Sequence, residues 1–270
     1  KGPHMKLTSF VYRIVFLPFL YLFSYYYQLY PMKNFAYAGG VALNATANEK
    51  LINNSEFEHL YIQPAAGDNG LSTGCCYYGW LEVLKKERVK HSGSTYFGKK
   101  YDDISVIDEL EKHTDKIEYN YYNDIEAIAA KSIAAGHVIA WFQGESEFGP
   151  RALGNRSILA DPRNPQMKDH INANVKYRED FHPFAPAVLH EKVHDYFDLN
   201  HDSDHMLFIA NVKEQYRATL ASIVHVDGSA RVQTVKKEMN NKFHTLIEYF
   251  HAETGVPILL NTFLNTKGMP

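Results

Sequence analysis

The sequence predicts an α/β fold, and three observations carry that reading. Two short apolar runs, "NFAYAGG" (34–40) and "HLYIQPAAGDNG" (59–70), each read as a strand that ends in a glycine turn. From about residue 102 onward, helix-like and strand-like segments alternate. With 270 residues, 45% of them hydrophobic and 22% charged, the chain is long enough for one large domain or two ordinary ones, each with its own core.

The elements follow in order. "KGPHM" (1–5) reads as a tag remnant and is set aside. Residues 10–30, "FVYRIVFLPFLYLFSYYYQLY", are long enough to span a bilayer. Arg13 and Pro18 inside the run, and aromatics along its length rather than at its edges, favour a buried helix over a membrane span. "LSTGCCYYGWLEVLKK" reads as a helix, and 88–104 loses apolar periodicity and reads as a linker. "DDISVIDELEKH" and "DIEAIAAKSIAAG" read as helices, the second burying Ile125, Ile128, Ala129 and Ile133 and stopping at Gly136.

"HVIAWFQG" is then a strand, 144–163 a loop-rich segment, and "NPQMKDHINANV" a helix. "FHPFAPAVLHEKVHDYF" starts extended, because its prolines block a helix, and turns helical near Ala187. "SIVHVDGSARVQTV" reads as two strands around Asp227-Gly228, "HTLIEYFHAETG" as a helix and "VPILLN" as the last strand.

Charge excludes one class of function. A net charge of -3 leaves no electrostatic footprint for nucleic acid. The only two cysteines, Cys75 and Cys76, are neighbours and make no disulfide framework, so a reducing cytoplasm is the expected location.

Four segments carry chemistry. "GESEFGPRALGNRSILADPR" (144–163) crowds Glu145, Glu147, Arg151, Arg156, Asp161 and Arg163 together with glycines. Arginine binds phosphate or carboxylate through two parallel N–H bonds, and glycine lets backbone approach an anion. An anion site and a salt-bridged surface loop both fit. "VKYRED" (175–180) places Lys176 and Arg178 at alternate positions, on one face if the segment is a strand, with a solvated strand as the plainer reading. In "HVDGSARVQTV" (225–235), His225, Asp227 and Arg231 flank a tight turn, where Asp227 either orients the imidazole or caps the turn. "VPILLNTFLN" (256–265) delivers Asn261, Thr262 and Asn265 to a strand end, where α/β sheets bind ligands.

A fifth segment points elsewhere. His190-Glu191-Lys192-Val193-His194 is an H-E-x-x-H, which on a helix holds zinc between two imidazoles with the Glu as general base. His201 and His205 share the same spacing in a polar stretch and are expected at the surface.

The wording of the four chemical segments resembles the NodU/CmcH-type O-carbamoyltransferases, which modify nodulation factors and antibiotics. The resemblance lies in "GPRALGNRSILADPR", "REDFHPFAPAVL", "HVDGSARVQTV" and "GVPILLNT", and upstream in "YAGGVALNATANEKL" and "QPAAGDNGLSTG". It covers roughly residues 34–270. It implies the C-terminal part of an actin-like carbamoyl-transfer module at 6–95 and a YrdC-like domain at 105–270. It also implies ATP with Mg, carbamoyl phosphate as substrate, and transfer through carbamoyl-adenylate to a hydroxyl of a small-molecule acceptor.

Arg151, Arg156, Lys176, Arg178 and Arg231 are then the cations expected to meet the polyanions. Ser157, His225, Asn261 and Asn265 are expected to hold the nucleotide, and Gly39, Gly40 and Asn44 to make close contact in the first module. Asp68 matches the family's carboxylate ligand to a metal, usually iron. The family's paired metal histidines lie upstream of the matching segment, so the metal site is expected to be incomplete here, and the chain reads as a fragment. Phe263 stands where the family has a hydroxyl residue. A catalytically incomplete nucleotide-binding remnant is the alternative, with a zinc peptidase behind it. In context, Val193 and Phe197 face inward and the two histidines of H-E-x-x-H face outward. No membrane partner is expected, and the aromatic stretch 10–30 suits a homodimer contact.

Overall fold

The computed structural model describes residues 18–265, so the tag remnant and residues 10–17 lie outside the described residues. The chain divides between Glu87 and Arg88 into two compact units.

The first unit is built on a strand–helix–strand repeat. Strand β1 (Asn34–Tyr37) pairs in parallel with β2 (His59–Ile62), Asn34 opposite His59. A parallel pair needs a crossover, and helix α2 (Ala45–Asn54) supplies it. The Asn44 side chain starts α2 by accepting the Ala47 N–H at 3.1 Å. Helix α1 (18–29) precedes β1. Phe23 of α1 meets Phe35 edge-on at 5.0 Å, and Phe35 stacks on Phe57 at 4.6 Å, closing a small core with Leu51. The helix buries only this edge, while Tyr21 and Tyr30 are 74% and 67% exposed, so the expectation of a wholly buried helix is corrected. No described helix is long and apolar enough to cross a membrane.

After β2 the chain turns through Gly67 and Gly70 into α3 (Leu71–Tyr78), which widens into a π turn at Gly79–Val83. Position 70 must be glycine, because a Cβ there would meet the Ala65 carbonyl oxygen at 2.1 Å.

The second unit centres on a five-stranded sheet in the order β3 (Ile139–Phe142), β4 (Arg156–Ala160), β10 (Ile258–Phe263), β5 (Ala185–Leu189), β9 (Gln233–Val235). Pairing is antiparallel except between β5 and β9. Every residue of β5 is buried. Pro186 is tolerated there for a geometric reason. The Leu189 N–H bonds to Pro257 O on the β10 side, so Pro186, an odd number of residues away, turns its nitrogen towards β9. Pairing with β9 starts only at Ala187. A second sheet orders β6 (Phe197–Asp198), β7 (Ile209–Val212) and β8 (Ser229–Arg231).

Helices α5 (Ile125–Ala134) and α9 (Asn241–Thr254) share the main core, with Ala129, Ala130 and Ile133 from one and Phe243, Leu246, Ile247 and Phe250 from the other. Alanines on α5 let the phenyl-bearing α9 approach closely. Ile125 and Ile128, expected in the core, are 38% and 41% exposed, and Ala130 takes the inner face with Ile133. The short helices are α4 (Asp103–Glu111), α6 (Met167–Ile171), α7 (Val193–Tyr196) and α8 (Glu214–Arg217).

Several local expectations change. The segment 144–163 contains β4, because its "RSILA" finds partners on both sides. "APAVL" is wholly strand, and helical turns begin only at His190. The 88–104 stretch does not behave as a free linker throughout: Phe148 N–H donates to Thr95 O at 2.7 Å and Tyr96 bridges Glu147. "VKYRED" is no strand, since Lys176 closes a π turn and Tyr177 is left-handed at φ 48°. Asp227-Gly228 does not join two strands but precedes both: β8 pairs with β7 and β9 with β5.

Gly154 ties this core to the loop before β4. Its φ is 105°, and a Cβ there would lie 2.2 Å from the buried Phe243 ring. Gly154→Ala is expected to destabilise the protein by about 2–4 kcal/mol, read by urea unfolding. Gly74→Ala, at a helical position with open space, is expected to be neutral or stabilising by up to about 1 kcal/mol.

Candidate anion-binding site

Two guanidiniums, Arg151 and Arg178, act on a third, Arg231, and the three come from separate segments. Arg151 comes from the irregular loop before β4, Arg178 from just past the left-handed Tyr177, and Arg231 from the end of β8. Burial lowers the pKa of all three. For Arg231 it is lowered to about 9, by burial first and then by the neighbouring Arg151 and Arg178. No carboxylate is among the influences on Arg231. Guanidinium is so strongly basic that it stays charged at neutral pH. Its Nε is sealed from solvent with no hydrogen-bond acceptor. Such an arrangement is unfavourable alone and gains from an anion.

Arg178 is held in place. Its Nε donates to Asn172 Oδ1 at 2.7 Å, and its guanidinium lies 4.7 Å from the Phe184 ring centre. Lys176 joins the group electrostatically: burial, then Arg178, lowers its pKa to about 8. Its ammonium is not a free hand, however. It donates to Phe263 O, to Asn265 O at 2.8 Å and to Asn265 Oδ1 at 2.7 Å. Those bonds use its three donors and tether the segment after β10. Phe263 contributes its carbonyl there, which any residue provides.

His225 lies beside Arg231, and burial lowers its pKa. Its Nδ1 is 3.1 Å from Ser229 Oγ, while Asp227 Oδ1 accepts from Ser229 N–H at 3.0 Å and Ser229 Oγ–H at 2.7 Å. Of the two readings of Asp227, these bonds make it the cap of the turn.

The remaining sequence-derived residues of this unit lie elsewhere or face inward. Arg156 stacks on Phe142, 3.6 Å from the ring centre, and donates to the carbonyls of Gln143 at 2.6 Å, Asn155 at 2.9 Å and Gly144 at 3.0 Å. The Ser157 hydroxyl is fully buried and accepts from Gly154 N–H. Asn261 Nδ2 donates to Ala152 O and to Gln233 Oε1, both at 3.1 Å. Gln233 in turn donates to Leu153 O at 3.0 Å, and the Tyr96 hydroxyl donates to the same oxygen at 2.9 Å. Gln233 and Tyr96 were not singled out from sequence. Only the "RVQTV" context of the first hinted at it, and Tyr96 sits in a stretch that reads as linker.

A cavity of about 490 Å³ also lies in this unit, with Tyr96, Tyr101, Phe142, Asn155 and Lys242 in its wall. The three clustered arginines do not line it.

In the first unit, β1 and β2 end side by side, and Gly39 N–H donates to Ala66 O at 2.8 Å, so their glycine turns meet. Gly40 opens the short helical turn that leads to Asn44, the cap of α2. Asp68 is exposed. Among the described residues Asp68 shares no group of metal-ligating side chains, the one such group being Glu191, His244 and Glu248 elsewhere; the donors around Asp68 do not fit a metal centre.

The H-E-x-x-H does not form a zinc site. Its residues span a tight turn at His190–Lys192 and the short α7, not one regular helix. His190 Nε2 pairs with Asp202 at 2.9 Å, and Glu191 Oε1 lies 3.0 Å from His244 Nε2. Val193 and Phe197 are buried, as their spacing suggested. His205, expected at the surface, is half-buried, and burial lowers its pKa.

The Lys176 shift has a measurable sign. An ammonium lowered to about 8 is partly deprotonated at pH 8.5, and a bound anion favours its charged form. Binding of sulfate, an anion that does not itself titrate in this range, is therefore expected at pH 8.5 to take up protons, up to about three-quarters of one per site from Lys176. Calorimetry in buffers of different ionisation enthalpy reads this directly. An observed enthalpy independent of buffer would contradict it.

Comparison with known proteins identifies the chain's family. The family model described as Carbamoyltransferase C-terminus matches residues 130–270, and that described as Carbamoyltransferase N-terminus matches 9–77. Nodulation protein NolNO of Sinorhizobium fredii is 41% identical over 262 residues, covering 96% of this chain and 38% of that protein. An uncharacterised Synechocystis protein is 39% identical over 270 residues, 90% of this chain and 44% of its own. The 3'-hydroxymethylcephem-O-carbamoyltransferase of Streptomyces clavuligerus is 33% identical over 235 residues, 86% and 42% respectively. The chain spans less than half the length of these relatives. With both family models matched in order along it, the chain belongs to the carbamoyltransferase family.

Proposed function

We propose that the second unit, residues 88–270, activates a carbamoyl group with ATP. In this reading it is a YrdC-like domain, and the first unit is the C-terminal part of an actin-like transfer module. Carbamoyl phosphate, ATP and water give carbamoyl-adenylate, pyrophosphate and phosphate, and the carbamoyl group then passes to a hydroxyl of a small-molecule acceptor. Mg²⁺ accompanies ATP as its counter-ion. A cytoplasmic location follows from the ATP requirement, and an acceptor other than nucleic acid from the net charge of -3.

The observation that carries the reading is the half-buried gathering of Arg151, Arg178 and Arg231, with Arg231 Nε sealed from solvent and lacking an acceptor. Attack on the α-phosphorus builds charge on its oxygens, and guanidiniums already fixed in place stabilise that charge without reorganising. In this reading Lys176 adds charge and fixes Asn265, His225 stands beside Arg231 at the edge of the anion, and Arg156 serves the Phe142 side rather than the phosphates. Ser157 and Asn261 act through the loop they brace. Gly39, Gly40 and Asn44 shape the contact surface of the first unit. A role for Asp68 in holding iron would need ligands beyond the described residues.

A second reading, nucleotide binding without turnover, is favoured by one observation: the Lys176 donors are all used within the chain.

The test is incubation with ATP, Mg²⁺ and carbamoyl phosphate, with pyrophosphate quantified. Pyrophosphate release without acceptor is expected, and Arg231→Ala is expected to slow it by about 10²-fold. Nucleotide binding with no pyrophosphate would select the second reading, and absence of both binding and release would refute the proposal.

A further inference from the structure

We propose that Glu147 is the positioning residue of the anion site, fixing through one carboxylate oxygen the loop that presents Arg151. The proposal rests on the anion-binding reading for its effect on ligand, but its geometry stands apart from it.

Between Phe148 and Asn155 the backbone forms neither helix nor strand. Its N–H groups therefore lack the partners that regular structure supplies, while Ala152, Leu153 and Asn155 are buried. Buried N–H groups must be paired. Glu147 Oε1 pairs two of them, accepting from Leu153 N–H at 2.7 Å and Asn155 N–H at 2.8 Å, and also accepts from Arg156 N–H, at the start of β4, at 3.2 Å. Convergent backbone N–H groups make a concavity that binds anions, and here the chain fills it with its own carboxylate. Bonds to an ionised acceptor are roughly twice as strong as neutral ones.

Glu147 is itself anchored. Phe148 N–H donates to Thr95 O at 2.7 Å and Gly98 N–H to Ser146 O at 3.1 Å, so the backbone on both sides of Glu147 is tied to the 95–98 segment. The carbonyl side of the loop is braced separately by Tyr96 and Gln233 on Leu153 O and by Asn261 on Ala152 O. The loop is thus braced on its donor and acceptor sides, and it carries Arg151, whose charge acts on Arg231. The N–H groups bonded to Glu147 lie two, four and five residues beyond Arg151. The carboxylate thus acts on Arg151 through the chain and is not itself a catalytic group.

Charge and position make opposite demands, which gives the test its sign. Removing a negative charge near an anion site should tighten anion binding if charge alone matters. Freeing the loop should weaken it. Pyrophosphate affinity is measured by calorimetry on the full chain at fixed ionic strength, with unfolding midpoints recorded alongside. Glu147→Ala is expected to weaken binding at least about tenfold, and this loss is expected to shrink below about twofold when Arg151 is already Ala. Glu147→Gln, which keeps an acceptor in place, is expected to stay within about threefold of wild type. Glu147→Asp keeps the charge but withdraws the oxygen, and is expected to bind more weakly than Gln. Tighter binding by Glu147→Ala, an undiminished loss in the Arg151→Ala background, or Asp outperforming Gln would overturn the proposal. If Glu147→Ala does not fold, the Gln and Asp order decides.

Hydrogen exchange separates this inference from the functional reading. The Leu153, Asn155 and Arg156 amides are expected to exchange at least about tenfold faster in Glu147→Asp than in wild type, whether or not pyrophosphate binds. Unchanged protection would refute the positioning role. A wild type that binds no pyrophosphate but shows the exchange effect would refute only the anion-site reading.

Discussion

Like charges have to be held together by something other than themselves. Arg151 and Arg178 lie close enough to Arg231 to lower its basicity, and burial withdraws water from all three. Each is therefore carried on a segment fixed by other means: a carboxylate-filled loop for Arg151, Asn172 and Phe184 for Arg178, and sheet pairing for Arg231. The folding energy of the second unit's core, with α5 and α9 packed beside the sheet, is what opposes this repulsion. In the proposed reading, an anion entering the group relieves a stress that the fold already sustains.

Much of the fold was legible in the sequence because each unit repeats simple patterns. Glycine turns marked the ends of β1 and β2, and Gly255 marked the end of α9, although that helix starts at Asn241, three residues before the segment read as helical. What failed was local conformation decided by distant partners. "RSILA" lies in a glycine- and arginine-rich segment, yet becomes a strand because β3 and β10 flank it. "APAVL" is strand rather than helix for the same reason, with its proline at the point where β9 pairing has not begun. The aromatic helix α1 read as buried because Arg13, Pro18 and the spread of aromatics argued against a membrane span, but aromatic side chains also cover small cores edge-on and leave their other faces in water.

The site was half legible. The arginines were visible because their side chains have few other uses at such density, and family wording reinforced them. Their local geometry was not: Lys176 and Arg178 were expected on one face of a strand, whereas a left-handed Tyr177 separates them and the ammonium bonds to carbonyls at and just past the end of β10. Nor was the supporting layer. Glu147 was counted among charges in a crowded loop, but its partners are backbone N–H groups, which carry no letter in a sequence. The H-E-x-x-H shows the reverse error. Five letters suggested a metal, while the fold gives His190 to Asp202 and Glu191 to His244.

The central claim is that Arg151, Arg178 and Arg231 share one anion. A crystal structure of the protein grown with pyrophosphate tests it most directly. The account predicts phosphate oxygens within hydrogen-bond reach of all three guanidiniums, with Arg231 Nε among the donors and the Glu147 loop unmoved. Pyrophosphate bound instead in the cavity walled by Tyr96 and Phe142, or the three arginines turned outward to solvent around no ligand, would contradict it.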